Sequence, residues 1–213
     1  MALTLYYASG SPYAWRVWLA LEHKRIPYEL RTLSFDAGDL KKPEFLAVNP
    51  RHRVPAIRDD GFALYESAAI VEYLEDKSPG EPRLLSADVR QRALQRRMVR
   101  EADQYVAAAM EELAEAVLFT PQESWSEDRI AGACAALQKE LAMWETAIAA
   151  DYLAGALSAV DFTLYPYLAL VSRIGKRKPG LVPADLVGPR ITAWMRRMEA
   201  LPVTRKTWPP HWR

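Results

Sequence analysis

The chain has 213 residues, 50% of them hydrophobic and 26% charged, with 28 basic and 27 acidic side chains for a formal net charge of +1. That length and apolar share suffice for two modest cores, while the near-neutral balance supplies no field to recruit nucleic acid or an anionic membrane. The single cysteine, Cys134, excludes an internal disulfide and suits a reducing compartment. No charged leader with an apolar stretch precedes Leu3, and no apolar run approaches the ~20 residues that span a bilayer, so a cytoplasmic protein is expected.

Leu3 to Tyr7 alternates in the manner of a strand. Pro12 then stands where a first-turn proline is tolerated, with Ala14, Val17, Trp18 and Leu21 at helical spacing behind it. Tyr28 to Leu33 is a second strand candidate and Lys42 to Ala47 a short helix. Pro55 to Arg58 and Phe62 to Tyr65 form a hairpin turned at Asp59-Asp60-Gly61, and a helix runs from Glu66 to Glu75. The turn-rich string Ser78-Pro79-Gly80-Glu81-Pro82 marks a domain boundary.

Beyond it the periodicity is helical throughout. Leu94, Met98, Ala102, Tyr105, Ala109 and Leu113 trace one long amphipathic helix, and Ile130, Cys134, Leu137, Leu141, Trp144 and Ile148 a second, with a break near Thr120-Pro121. Ser158 to Ile174 and Pro189 to Ala200 supply two more. Ser158 and Asp161 have capping-box spacing, and Pro166, inside that helix, removes a hydrogen bond. The arginine run Arg90, Arg92, Arg96, Arg97 and Arg100 is interleaved downstream with Glu101, Asp103, Glu111 and Glu112, so it reads as a solvated or subunit-facing surface. Strands mixed with helices up to residue 77, then helices alone, give an α/β unit followed by an all-α unit.

The densest chemistry lies in residues 49–67. Val54 precedes Pro55 and is pushed toward extended backbone, and an extended edge that proline keeps out of a sheet can pair with a peptide-like ligand. Glu66-Ser67 opens a helix, where unpaired N–H groups and a partial positive charge can hold a carboxylate while Glu66 faces an ammonium. The implied ligand is a small zwitterionic peptide. His23, His52 and His211 are too scattered to suggest a metal site.

These residues, together with Ser11-Pro12-Tyr13, the stretch Gly38 to Asn49 and the Ser158-Ala-Val-Asp161 cap, resemble the soluble glutathione S-transferases of serine type across essentially the whole chain. The resemblance implies an N-terminal thioredoxin-like domain (1–77), a linker (78–88) and a C-terminal helical bundle domain (89–213). It further implies glutathione as co-substrate, an apolar electrophile as second substrate, detoxification by conjugation, and a homodimer. Ser11, followed at the family's spacing by Arg16-Val17, would donate to the glutathione thiolate, with Ser9, Tyr6, Tyr7 and Tyr13 as competitors for that contact. Val54 would pair with the cysteinyl part if the Val54-Pro55 bond is cis, and Glu66 and Ser67 would hold the γ-glutamyl end. His52, Arg53 and Lys41 compete for the glycyl carboxylate. The electrophile would lie between the domains against Tyr13, Tyr105, Val106, Met110 and Phe119, with Trp208 and Trp212 as further candidates. A glutathione-dependent isomerase, dehalogenase or peroxidase would share the first-domain signature, and a non-catalytic adaptor is the alternative of a different class.

Overall fold

The structure is a computed structural model describing residues 3–148 and 150–212. Its contacts separate two compact units: residues up to Ser86 together with those from Pro202 onward, and Ala87–Leu201.

In the first unit, β1 (Leu3–Tyr7) leads through a four-residue loop into α1 (Pro12–Lys24), and β2 (Tyr28–Thr32) follows. A short turn of helix α2 (Pro43–Leu46), the hairpin β3 (Ala56–Asp59) and β4 (Phe62–Tyr65), and α3 (Ser67–Lys77) complete the series. The sheet order is β2-β1-β3-β4, with β1 and β2 parallel and the other pairs antiparallel. Both faces of central β1 are buried, and its alternation assigns a helix to each. Tyr7 meets Trp18 of α1 edge-on at 4.9 Å between ring centroids, while Tyr6, one residue earlier and so on the opposite face, lies 5.6 Å from Phe45 of α2. The hairpin is tied to α3 by Asp59, which accepts hydrogen bonds from Tyr73 and Lys77. Those two donors hold the Asp59 carboxyl below its ordinary range.

The linker is anchored. The Lys24 ammonium, buried at the end of α1, donates to Glu75 Oε2 at 2.7 Å and to the carbonyls of Gly80 and Pro82 at 3.1 Å. The same carboxylate oxygen accepts the Leu84 amide at 2.8 Å. At the other end of the chain the structure differs from the expected 89–213 assignment. Helix α9, the last of the chain (Pro202–Thr207), and the residues after it pack on α1, because Trp208 and Trp212 stack edge-on against Trp15 at 5.4 and 5.6 Å and Thr207 Oγ1 accepts from Trp15 Nε1 at 2.8 Å. Three indoles remove too much apolar surface from water for that tail to remain in solvent.

The second unit is helical. A continuous helical run consists of α4 (Val89–Glu101), a π-helical stretch (Ala102–Val106), α5 (Ala107–Ala114) and a second π-helical stretch (Glu115–Phe119). The widened turns divide what periodicity alone reads as one α-helix. Ser126 caps α6 (Glu127–Ala147) by accepting the Arg129 amide. Helix α7 (Ala159–Arg177) runs through the middle of the core, and α8 (Pro189–Ala200) packs against it. The expected capping box at its start is present: Asp161, fully buried, accepts from the amides of Ser158 and Leu153 and from Trp194 Nε1, while Ser158 Oγ accepts the Val160 amide. One aspartate thereby joins the helix start, the preceding loop and α8. Among the described residues no helix is long and apolar enough to cross a membrane.

Candidate active site

Strand register decides which loops meet. Tyr6 of β1 pairs with Ala56 of β3, and Ala56 with Tyr65 of β4. With strands ~4.8 Å apart, the outgoing end of β1, the incoming end of β3 and the outgoing end of β4 lie side by side within about 10 Å. The loops leaving that edge are Ala8 to Ser11, His52 to Pro55, and Glu66-Ser67. Tyr7 pairs with Thr32 in the parallel neighbour, so β2 feeds the same end with the segment that carries Lys41.

Each loop has its own local cause. The Ser11 amide donates to the Ala8 carbonyl at 3.2 Å, closing a turn whose third residue, Gly10, has φ +91°. Only glycine adopts that conformation without strain. Ser11 is the N-cap of α1 and its Oγ accepts the Ala14 amide at 3.2 Å, an arrangement that leaves its O–H available to a ligand. Ser11 and Tyr13 are half-buried, whereas Tyr6 and Tyr7 are only 4% and 2% exposed. Burial pushes the Tyr7 phenol up, with the Ser9 side chain and Gly10 backbone pulling weakly the other way.

The second loop is built by Asn49, a residue without an assigned role in the sequence reading. Its buried side chain donates from Nδ2 to the Arg53 carbonyl at 2.7 Å and accepts the Arg51 amide on Oδ1 at 3.0 Å, while its own carbonyl accepts the His52 amide at 3.0 Å. An asparagine ahead of a turn was the available signal, since Asx side chains bond the backbone two residues on. His52 takes φ +46°, the Val54-Pro55 peptide is cis, and Val54 lies just ahead of β3. His52 and Arg53 are exposed, as is Lys41, at the end of a 3-10 turn. Replacing Asn49 with alanine removes two part-buried hydrogen bonds to the loop backbone, so thermal unfolding should show a loss of about 1–2 kcal/mol. KM for the peptide ligand should rise, and an unchanged melting temperature and KM together would rule this scaffold role out.

At the third loop Glu66 has φ 73° and ψ 108° and makes no side-chain cap to α3. Positive φ at a non-glycine residue costs on the order of 1–3 kcal/mol and persists where a site requires it. The Ile70 amide is the first in α3 to reach back, to the Glu66 carbonyl at 2.9 Å. The amides of Ser67, Ala68 and Ala69 therefore lie ahead of the helical ladder, beside the half-charge of the helix terminus. Glu66 is exposed beside them, and Ser67 is 8% exposed.

The residues assigned to the electrophile divide differently. Tyr13 is in the first unit. Tyr105 and Phe119 are 49% and 74% exposed on the helical unit, whereas Val106 and Met110 are 0% and 1% exposed. Those last two are core side chains of the helical unit, buried with Ala102 and Leu113, and they present no surface to a ligand.

A four-stranded mixed sheet between helices, presenting amide-rich loops at one edge and joined to an all-helical unit, defines a two-domain fold with a thioredoxin-like first domain. Residues 10–77 match the glutathione S-transferase N-terminal domain and residues 127–197 the glutathione S-transferase C-terminal domain. The chain is 27% identical over 220 residues to glutathione S-transferase A of Pleuronectes platessa, covering 99% of this chain and 92% of that one. It is 33% identical over 177 residues to maleylacetoacetate isomerase of Mus musculus, covering 79% and 78% respectively. The crystal structure of a glutathione S-transferase from the Antarctic clam Laternula elliptica superposes with a TM-score of 0.85 at 29% identity, covering 100% of this chain and 94% of that one. The chain belongs to the glutathione S-transferase family. It is an enzyme of that family, with glutathione as its co-substrate.

Proposed function

We propose that the chain binds glutathione along the sheet edge of its first unit, stabilises the thiolate with Ser11, and directs that thiolate onto an apolar electrophile. The observation that carries this reading is the Tyr6–Ala56–Tyr65 register, which aligns the loops holding Ser11, Val54 and Glu66-Ser67. The γ-glutamyl carboxylate is taken by the Ser67 amide and hydroxyl and its ammonium by Glu66. The cysteinyl backbone pairs with Val54. The glycyl carboxylate meets His52, Arg53 or Lys41. Sulfur then lies toward Ser11, and the electrophile approaches it from the side of Tyr13.

The catalytic work is small enough for one loop. A free thiol with pKa ~8.5 is only slightly ionised at neutral pH, and lowering it by about two units takes about 2.7 kcal/mol. One hydrogen bond to a charged group together with a helix terminus supplies energy of that order. Holding both substrates in register contributes the rest.

The test pairs calorimetry with a chromogenic conjugation assay on the wild type and Glu66→Ala. Binding should be measurable at or below an on-the-order-of-1 mM dissociation constant, and Glu66→Ala should raise it at least about tenfold, as expected for a lost partner of a charged group. No heat at millimolar glutathione would sink the reading. A second reading is favoured by the 33% identity to the mouse maleylacetoacetate isomerase: reversible addition of the same thiolate to a conjugated double bond, isomerising it without net consumption of glutathione. Catalytic turnover of maleylacetoacetate at substoichiometric glutathione would select that reading. The exposed Phe62 and Leu94 are surface that a homodimer would cover, and light scattering should give twice the chain mass. We place the enzyme in the cytoplasm; its recovery in any other cell fraction would overturn that placement.

A further inference from the structure

The turn that presents Ser11 is held from outside by the far end of the chain. His211 Nδ1 lies 2.6 Å from Ser9 Oγ, a hydrogen bond that forms whether the hydroxyl donates to the ring or the ring N–H donates to the hydroxyl. The same imidazole covers the neighbouring residue: a Cβ built on Gly10 would stand 3.0 Å from His211 Cε1 and 3.2 Å from Nε2. Ser9 and Gly10 are the two central residues of the turn closed by the Ser11 amide and the Ala8 carbonyl. One side chain therefore fixes both residues whose dihedral angles decide where Ser11 sits.

The clamp is itself firmly mounted. The ring of His211 is 6.0 Å from that of Trp212, which is only 6% exposed and stacks on Trp15 of α1. One turn earlier, Lys206 pairs with Glu22 at 2.8 Å. Trp15 and Ser11 belong to the same helix and its cap, so the tail grips the element that starts with the catalytic hydroxyl as well as the loop ahead of it.

We propose that His211 is a positioning residue for thiolate stabilisation, acting through Ser9 and Gly10 to hold the Ser11 hydroxyl at the distance from sulfur that favours the anion. This rests on the glutathione reading of the site. A donor must be kept within about 0.5 Å of its productive place, and a displacement of about 1 Å can remove a hundredfold of rate. The peptide's charged ends are assigned to other loops. Loosening the turn therefore weakens the chemical step and leaves binding nearly intact.

The experiment measures kcat, KM for glutathione and the pKa of enzyme-bound glutathione, the last from ultraviolet thiolate absorbance against pH, in the wild type, His211→Ala and His211→Asn. In His211→Ala the bound thiol pKa should rise by about one unit, and kcat measured about one unit below the wild-type bound-thiol pKa should fall about tenfold, the matching loss of thiolate. KM should stay within about twofold, since uniform binding is untouched. Asparagine carries a polar atom at the position of Nδ1 and should recover most of the loss. Unchanged kcat and thiol pKa in His211→Ala, with an active wild type, would overturn the inference alone. So would failure of a folded His211→Asn to recover activity. A wild type that binds no glutathione would overturn the reading of the site and this inference with it.

Discussion

Ser11→Ala should lose roughly ten- to hundredfold in kcat/KM for conjugation, the worth of one hydrogen bond to a charged group. The loss has a pH signature. A donor that stabilises the thiolate lowers the thiol pKa, so its removal raises that pKa and the rate deficit is greatest below the wild-type value. Above both pKa values sulfur is ionised in either enzyme and the deficit shrinks. The complication is structural, because Ser11 Oγ also caps α1 by accepting the Ala14 amide. Replacing a cap by alanine costs about 1 kcal/mol, whereas glycine costs only a few tenths. Ser11→Ala and Ser11→Gly should therefore share the kinetic defect while differing in melting temperature. Retention of full activity by Ser11→Gly would assign the effect to the cap. If Ser9→Ala reproduces the alkaline shift and Ser11→Ala does not, the sulfur contact belongs to Ser9.

The parts of this site readable in advance are those whose cause lies within a few residues. Pro12 at the first helical position, the Asp59-Asp60-Gly61 turn and the Glu66-Ser67 helix start each leave a local pattern, and the elements around them form at or within a residue or two of the expected places. The three-residue spacing of Ser158 and Asp161 likewise announces the cap on α7. What such patterns omit is the partner of a side chain. Asp161 also collects Leu153 and Trp194, the latter 33 residues onward, and nothing in the local string names them.

Helical periodicity finds an inward face but cannot say whether an inward residue lines a cavity or fills a core. Val106 and Met110, offered to an electrophile on the resemblance, fill the core, whereas Tyr105, which the repeat traces onto the inward stripe, is 49% exposed. The tail shows the reverse, a local string whose partner lies far off in sequence. Trp208 and Trp212, further candidates for the electrophile, sit close together in a short proline-rich tail, a local sign of docking, and Trp15 in α1 supplies the surface. The contact between His211 and Ser9 spans 202 positions and follows only from that docking.

Lys24→Met should be the most destabilising single change in the first unit, by about 3–5 kcal/mol, the range found when one partner of a buried ion pair is removed. Lys24 and Glu75 are 51 positions apart, and their side chains are 1% and 8% exposed. The ammonium is satisfied by three oxygens, those of Glu75, Gly80 and Pro82. Methionine of similar length fills the space but leaves the Glu75 carboxylate without its near cation and two linker carbonyls without their donor. Arg83 is no substitute, since its guanidinium lies 3.7 Å from Glu75 Oε1 and is itself 37% exposed. Glu75→Gln should be milder: the amide oxygen still accepts from Lys24 and the Leu84 amide, and the ammonium keeps both carbonyls. Adding Glu75→Gln to Lys24→Met should recover part of the loss, because it removes the stranded charge but not the stranded carbonyls. Denaturant titration of the four proteins gives the coupling energy directly. Strict additivity would mean that the charge of Glu75 does not depend on Lys24, and the linker would have to be held to α1 and α3 by packing alone.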